Sequence, residues 1–434
     1  MKSLSDAFYL SNYKEEIMNI IEDLKWRGAI NQTTDEAGLE KLTNKKKIAL
    51  YCGVDPTGDS MHIGHLIPFM IMERFSRAGF HPYILIGGAT GSIGDPSGRN
   101  TERPLQTKKM VKHNVEALTN QMKHLFGSDS NIHIVNNYDW TSNMSLLDFL
   151  RDYGKLFNVN TMLSKEVVAS RLEKGISFTE FTYQILQALD FLTLYCDHDV
   201  QLQIGGGDQW GNITAGIDLI HRIEGQDAEV YGLTIPLMLK SDGTKFGKTA
   251  GGAVWLDPKK TSPYEFYQFW LNQNDADVIK YLKYFTFLPQ AQIDELAQKV
   301  KDEPWKREAQ KTLAREVTKF VHGEDAVKQA ENISRILFQG NVQDLSTEEV
   351  SQAFNSVPTT EISSDPINVI DLIIAVGADK SKRQAREDVN NGAITINGSK
   401  VIDVDTTIQP QDNFDGQFVI IRRGKKHYFL AKVK

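Results

Sequence analysis

Apolar and polar positions alternate differently in successive parts of the chain. Between Ile48 and about Leu256, short apolar runs at Ile48–Val54, Tyr83–Ile86, Ile132–Val135, Gln201–Ile204 and Leu233–Leu237 are separated by segments with apolar residues at helical spacing, such as 64–77 and 212–223. That order predicts a doubly wound, mostly parallel α/β sheet, with ligands bound beyond the carboxyl ends of its strands. Ahead of it, Ile17, Ile20, Ile21 and Leu24 predict a helix that stops at Gly28. After it the pattern is helical. Ser262-Pro263-Tyr264-Glu265 is a capping box with proline at the first helical position. Further helices are predicted through Asp277–Phe285, Gln290–Val300 and Trp305–His322.

Residues 340–365, rich in Ser, Thr, Asn and Gln, predict a short helix and then a linker. Beyond Pro366 the pattern tightens into a helix at Val369–Val376, strands at Ala393–Ile396 and Phe418–Arg422, and turns at Asn397-Gly398 and Arg423-Gly424. The expected organisation is an α/β body at 1–258 with a helical insertion near 125–200, a helical domain at 259–350, a linker at 351–365 and a small α+β domain at 366–434.

Composition adds limits. At 434 residues two or three domains are expected, and 41% apolar with 24% charged residues is ordinary for a globular protein. No run approaches membrane length and no secretory leader pattern opens the chain, so a cytoplasmic protein with no membrane partner is expected. With Cys52 and Cys196 alone, neither a disulfide framework nor a thiolate metal site is expected. The net charge of −7 argues against a polyanionic partner until the chain is divided. Residues 366–434 hold 11 Lys and Arg against 8 Asp and Glu, a net of +3, which leaves −10 on the rest. An acidic body with a basic tail suggests that the tail meets a polyanion.

The candidate chemistry begins after the first strand. Asp55-Pro56-Thr57-Gly58 leads into His62-Ile63-Gly64-His65, which opens the helix at 64–77. Free N–H groups and the helix dipole make such a place attractive to phosphate, although two solvated residues capping a helix would look the same. Lys245-Phe246-Gly247-Lys248-Thr249 is either a second phosphate loop or an exposed basic turn. Tyr183, Gln187 and Asp190 share one face of one helix, opposite Phe181, Ile185 and Leu189. A polar stripe of this kind is commonly a solvated face. In the tail, Lys380, Lys382, Arg383 and Arg386 cluster around one helix start, and Arg422, Arg423, Lys425 and Lys426 around one turn. Each cluster fits either solvated surface or phosphate contacts.

With Gly87-Gly88-Ala89-Thr90-Gly91, Asp95 and Gly205-Gly206-Gly207-Asp208-Gln209-Trp210-Gly211-Asn212 between them, these motifs resemble the class I aminoacyl-tRNA synthetases. In order, spacing and detail they are similar to the bacterial-type tyrosyl enzymes over essentially the whole chain. Lys-Phe-Gly-Lys-Thr departs from the commoner Lys-Met-Ser-Lys-Ser but keeps both lysines.

The resemblance implies a Rossmann-like catalytic domain, an α-helical domain and a tail like the RNA-binding module of ribosomal protein S4. It implies tyrosine–tRNA ligase activity, with ATP as substrate, Mg2+ carried by the nucleotide, no tightly bound cofactor or metal, and tRNA(Tyr) and L-tyrosine as partners of a homodimer. Thr57 and His62 would meet the γ-phosphate and His65 the ribose region. Arg99, Arg103, Lys245 and Lys248 would clamp pyrophosphate, with Thr249 beside them. Asp95, Tyr183 and Gln187 match the groups that hold the substrate's ammonium, Tyr51 and Asp190 those on the phenol, and Gln209 the one on the carboxylate. Asp55 and Gln203 frame the pocket. Gly53, Gly64, Gly206 and Asp208 fall in the nucleotide site, and so does Cys52, which reads equally well as a small buried residue. Pro68, in the early turns of the His-Gly-His helix, is expected to cost little and only to pack.

Three other readings compete. A tryptophanyl relative would have no use for a phenol-binding pair. A cytidylyltransferase, which also uses His-x-Gly-His, would need neither helical domain nor RNA module. A non-catalytic RNA-binding protein need not keep both histidines and both lysines.

Overall fold

Strand β2 (Ala49–Val54) is buried on both faces, with Leu50, Tyr51 and Cys52 all sealed from solvent. A central parallel strand needs this, and it is why the sequence there is nearly continuously apolar. In the computed structural model residues 19–434 are described, except 98–100, 102–103, 128–129, 173–174, 242, 245, 250–251, 356 and 425–426, and without the side chains of Glu166, Lys248, Thr249 and Gln339.

The chain forms two compact bodies: residues up to 253 with 274–309, and 254–273 with 310–434. The first begins with helix α1 (Ile20–Trp26), strand β1 (Gln32–Thr33) and helix α2 (Glu36–Lys45) ahead of β2. Then come α3 (Ile63–Arg77), β3 (His81–Ile86), α4 (Lys108–Phe126), β4 (His133–Asn136), α5 (Phe178–His198), β5 (Val200–Gly206), α6 (Trp210–Glu224) and β6 (Tyr231–Ile235). A short ribbon, β7 (Lys248–Thr249) and β8 (Gly252–Ala253), follows. The chain passes through α7 (Pro263–Leu271), which belongs to the second body, and returns with α8 (Asp275–Phe285) and α9 (Gln290–Asp302).

The sheet order is β1-β6-β5-β2-β3-β4, with β1 antiparallel and the others parallel. From β2 the chain builds outward one way through β3 and β4, then returns to the other side with β5 and β6. The carboxyl ends of β2 and β5 therefore flank a topological switch point, the place where open α/β sheets bind ligands. The five predicted strands are all present within a few residues of their expected bounds. β1 and α2 carry too few apolar residues for periodicity to reveal them.

Pro68 departs from expectation. Helix α3 starts at Ile63 with His62 as its cap, so Pro68 is the sixth helical residue. It lies past the first-turn N–H groups that have no internal partner, and it removes the bond that the Gly64 carbonyl would accept.

The second body opens with the capping box as predicted: Glu265 N donates to Ser262 Oγ at 3.2 Å, and Ser262 N to Glu265 Oε2 at 3.0 Å. The helix expected from Trp305 starts only at Glu308 (α10, Glu308–His322), because Arg307 takes a left-handed φ of 53°. Helices α11 (Glu324–Gln339) and α12 (Thr347–Ala353) follow.

The tail holds β9 (Thr359–Ile362), β10 (Ile367–Asn368), α13 (Val369–Ala375), α14 (Lys382–Asn390), β11 (Ile394–Ile396), β12 (Ser399–Val401), β13 (Thr407–Ile408), β14 (Phe418–Arg423) and β15 (His427–Val433). Its main sheet runs β12-β11-β14-β15-β9. β9 lies inside the stretch expected to be linker and pairs parallel with β15. Only Ile362 of its four residues is buried, so it leaves no alternating pattern to read. One face of the sheet, with Ile394, Ile396, Val419, Ile421 and Ala431, forms a core with Leu372 and Ile373 of α13 and Ala385 and Val389 of α14. Among the described residues no helix is long and apolar enough to cross a membrane, and no group of three or more His, Cys, Asp or Glu could hold a metal ion.

Candidate active site

His62 caps α3 by accepting from Gly64 N at its Nδ1, 3.0 Å away, and His62 N donates to His65 Nδ1 at 3.2 Å. The rings lie 4.0 Å apart. Each Nδ1 is an acceptor, so the tautomer that fits carries its proton on Nε2, a donor for phosphate oxygens. Burial, with the His62 charge adding to it, pulls His65 down to about 3, so its ring is neutral at physiological pH. A Cβ on Gly64 would fall 2.7 Å from His62 Cε1, which is why glycine separates the histidines.

The second motif meets the first. A Cβ on Gly247, whose φ is +96°, would lie 3.5 Å from Gly64 N. Phe246 anchors this loop on α8, its ring 4.9 Å from Tyr281 and 5.2 Å from Phe285. Lys248 and Thr249 lie on β7, paired with Ala253 and Gly252. Lys245, Arg99 and Arg103 lie outside the described residues. Thr57 is exposed, and its carbonyl accepts from Gln106 Nε2 at 3.0 Å.

The polar stripe of α5 is a buried face. Tyr183 OH donates to Asp55 Oδ2 at 3.0 Å, and Thr90 Oγ1 to Asp55 Oδ1 at 2.7 Å. Asn212 Nδ2 donates to Gln187 Oε1 at 3.1 Å and to Gln209 Oε1 at 3.2 Å. Gln209 Nε2 donates to Asp95 Oδ2 at 2.7 Å, and Ser97 N to Asp95 Oδ1 at 2.9 Å. Asp190 accepts from Asn137 Nδ2 and from Trp140 Nε1, both at 2.9 Å. Asn137 Nδ2 also donates to Thr90 Oγ1 at 3.0 Å. Asp55 and Asp190 are thus joined through Thr90 and Asn137.

Burial pushes the Asp190 carboxyl up to about 7, against the lowering effect of the Asn137 and Trp140 bonds. The Tyr51 phenol is pushed well above its usual value by burial and by the Asp190 charge beside it. Tyr51 OH and Gln203 Oε1 are buried without a hydrogen-bond partner. Such orphans cost roughly 1–3 kcal/mol each, and they mark where a polar ligand would be received.

Cys52 is buried and its thiol is pushed up to about 12, as a small core residue would be. Gly53, Gly206 and Asp208 are exposed at the strand ends. Asn137 and Trp140 are not singled out by the sequence, and Thr90 and Asn212 stand there only within glycine-rich motifs, with no role assigned. Asn137 follows the apolar run 132–135, at the carboxyl end of its strand, a position that could have flagged it.

In the tail, Lys380, Lys382, Arg383 and Arg386 are exposed, with Lys382 Nζ 2.5 Å from Asp371 Oδ1. Arg423 is tied down: Nη2 lies 3.0 Å from Asp379 Oδ1, Nε donates to Asp388 Oδ2 at 2.6 Å and Nη1 to Ala378 O at 3.0 Å. Arg422 sits on the opposite face of β14, and Lys425 and Lys426 lie outside the described residues.

Known proteins agree with this architecture. The family of class I tRNA synthetases for tryptophan and tyrosine matches residues 43–339, and the C-terminal domain of tyrosine–tRNA ligases matches 349–431. The tyrosine–tRNA ligase of Levilactobacillus brevis is 69% identical over 417 residues, 96% of this chain and 100% of that protein. The chain belongs to the tyrosine–tRNA ligase family. That of Latilactobacillus sakei is 68% identical over 96% of this chain and 99% of its own. Among solved structures, a C-terminally truncated mitochondrial tyrosyl-tRNA synthetase from Aspergillus nidulans superposes with a TM-score of 0.68 at 32% identity, covering 74% of this chain and 94% of that one. A tryptophanyl-tRNA synthetase from Encephalitozoon cuniculi shares the fold, with a TM-score of 0.52 at 15% identity over 71% of this chain and 87% of that one. Class I synthetases use ATP, and the two loops that meet at the N-terminus of α3 are where this family member has its phosphate-type motifs.

Proposed function

We propose that this member of the tyrosine–tRNA ligase family joins L-tyrosine to ATP as tyrosyl-adenylate, releases pyrophosphate, and passes tyrosine to the 3′-terminal adenosine of tRNA(Tyr). The observation that carries this reading is the buried Tyr51 hydroxyl without a partner, beside a carboxylate held by Asn137 and Trp140. A phenol hydroxyl satisfies both groups: it donates to Asp190 and accepts from Tyr51. Phenylalanine and tryptophan leave the pair unsatisfied.

Asp95, Tyr183 and Gln187 surround the substrate's ammonium, and Gln209 meets its carboxylate. Asp55, Gln203 and the Asn212 network hold those groups in place. The carboxylate attacks the α-phosphate, and no side chain acts as nucleophile. Catalysis is positioning plus donors preorganised for the charge that gathers on the phosphates. His62 and the neutral ring of His65 donate at a helix N-terminus, together with Thr57. Lys245, Lys248, Arg99 and Arg103 balance the departing pyrophosphate with its Mg2+, and Thr249 lies in the same loop. Gly206 and Asp208 receive the ribose. The basic tail grips tRNA. A second copy of the chain is the expected partner for the exposed apolar run Leu146, Leu147 and Leu150, since symmetric dimers are the commonest assembly. The reaction is read as cytoplasmic.

Pyrophosphate exchange with each of the twenty amino acids tests the reading. Tyrosine alone should support exchange. Exchange with tryptophan and not tyrosine would move the chain to the sister specificity, and none at all would leave an RNA-binding protein on a synthetase scaffold.

A further inference from the structure

The tail sheet has a second face, turned away from α13 and α14. Thr395 on β11, Arg422 on β14 and Tyr428 on β15 are direct cross-strand partners, so they form one row on that face. Ile420, one rung along, continues it, and Leu337 and Val342 wall the space above. The result is a cavity of about 140 Å3. It is small beside the roughly 300–1,000 Å3 of pockets for larger ligands, and suits one flat heterocycle rather than a whole nucleotide.

Its chemistry is one-sided. Arg422 carries the polar edge: its Nε is buried with no hydrogen-bond partner, and its guanidinium carbon lies 6.0 Å from the centre of the Tyr428 ring. The contrast with Arg423, the next residue, is sharp. Arg423 points to the other face and is held by two carboxylates and a carbonyl. Arg422 thus offers donors only, over an aromatic ring, on a module of net positive charge.

We propose that Thr395, Arg422 and Tyr428 receive one unstacked guanine of an RNA strand. This rests on the reading of the tail as an RNA grip. A guanidinium fork needs two acceptors in a plane, and guanine offers O6 and N7 together. Adenine puts a donor where the fork needs an acceptor. The tyrosine ring supplies the stacking surface on which proteins hold splayed-out bases. The strand's phosphates remain outside the cavity, while Arg383 and Arg386 lie on α14, which packs on the other face of the sheet.

The test uses the full chain and three labelled uridine hexamers carrying one central guanosine, inosine or adenosine, because uracil has no adjacent pair of acceptors. Inosine keeps O6 and N7. Guanosine and inosine hexamers should bind about tenfold more tightly than the adenosine one. Arg422→Lys, which keeps the charge and loses the fork, should erase that ratio. Tyr428→Leu should weaken the guanosine hexamer about tenfold, while Tyr428→Phe, with its ring intact, should retain the ratio. Arg386→Ala, on the other side of the sheet, should leave the ratio unchanged.

Equal binding of the three hexamers, unchanged by Arg422→Lys, would reduce Arg422 to a phosphate contact and overturn the base pocket, leaving the RNA grip standing. A protein that binds neither the hexamers nor tRNA would overturn both.

Discussion

In the sheet body, Asp55, Asp95 and Asp190 are buried or half-buried, and each carboxylate accepts from two groups at 2.7–3.0 Å. In the tail, Lys380, Arg383 and Arg386 stand in solvent. The pocket places its charge where each misplaced partner leaves a desolvated group, so its worth lies in selection. The tail leaves its charge hydrated, so its worth lies in attraction that salt can screen. One region should therefore respond to single atoms and barely to salt, and the other to salt and only weakly to any one side chain.

The pocket should break first and furthest. Asp190→Ala removes the phenol's acceptor, strands Trp140 Nε1 and leaves Asn137 Nδ2 only its bond to Thr90 Oγ1, which together should lower kcat/KM for tyrosine activation by roughly a thousandfold. Asn137→Ala leaves the carboxylate but loosens it, and about tenfold is expected, mostly in KM. Steady-state pyrophosphate exchange measures both. An Asp190→Ala enzyme within tenfold of the parent would remove Asp190 from the phenol.

Cutting the tail comes next. The chain should end at Asn355, ahead of β9, because a stop near residue 364 would leave an edge strand without its partner β15. Adenylate formation should change less than about twofold, while aminoacylation of tRNA should fall by about a hundredfold or more as the phosphate contacts vanish. Loss of both activities would mean that the tail holds the catalytic fold together.

The same contrast decides what could be read from sequence. The parallel strands were legible because burial on both faces makes them apolar throughout, and the phosphate-type loops because glycine and histidine are rare company at a helix start. The α5 stripe could not be assigned from periodicity, since Tyr183, Gln187 and Asp190 would look the same facing water. Burial of that face comes from Asn137, Trp140 and Asn212, which are distant in sequence and supply its partners. In the tail, charge runs cannot separate Arg422 from Arg423. Adjacent residues on a strand face opposite sides, and only the register shows which one meets Asp379 and Asp388.

The pocket should also respond to pH. Burial pushes the Asp190 carboxyl up to about 7, above its unfolded value of 3.8. The folded state therefore keeps a proton that the unfolded chain has lost between those values. This contribution to stability is full below about pH 4 and is lost as pH rises to 7. Tyrosine affinity should run the other way, because the phenol needs an ionised acceptor. It should weaken by up to about tenfold per unit below pH 7 and level off above it. Tyrosine titrations between pH 5.5 and 8.5 would show this, and Asp190→Asn should abolish it. A flat profile in the parent enzyme would mean that Asp190 is already ionised when empty.

The smallest expected effects separate the tail's own arginines. Arg386 is exposed on α14 and carries its charge into solvent. Arg386→Ala should leave the melting temperature nearly unchanged, weaken tRNA binding a few-fold, and reduce the slope of log affinity against log salt by about one. Arg423 is built into the module: it neutralises Asp379, whose side chain is fully buried, and Asp388. Arg423→Met strands the Asp379 carboxylate, so the tail should melt earlier, while the salt slope measured below that transition keeps its value. Binding isotherms at four salt concentrations, with thermal melts of the same samples, distinguish the two. If Arg423→Met flattened the slope as Arg386→Ala does, Arg423 would be touching phosphate after all. The division between a cation that faces RNA and one that holds the module would then fail at the place where the two residues are neighbours in sequence.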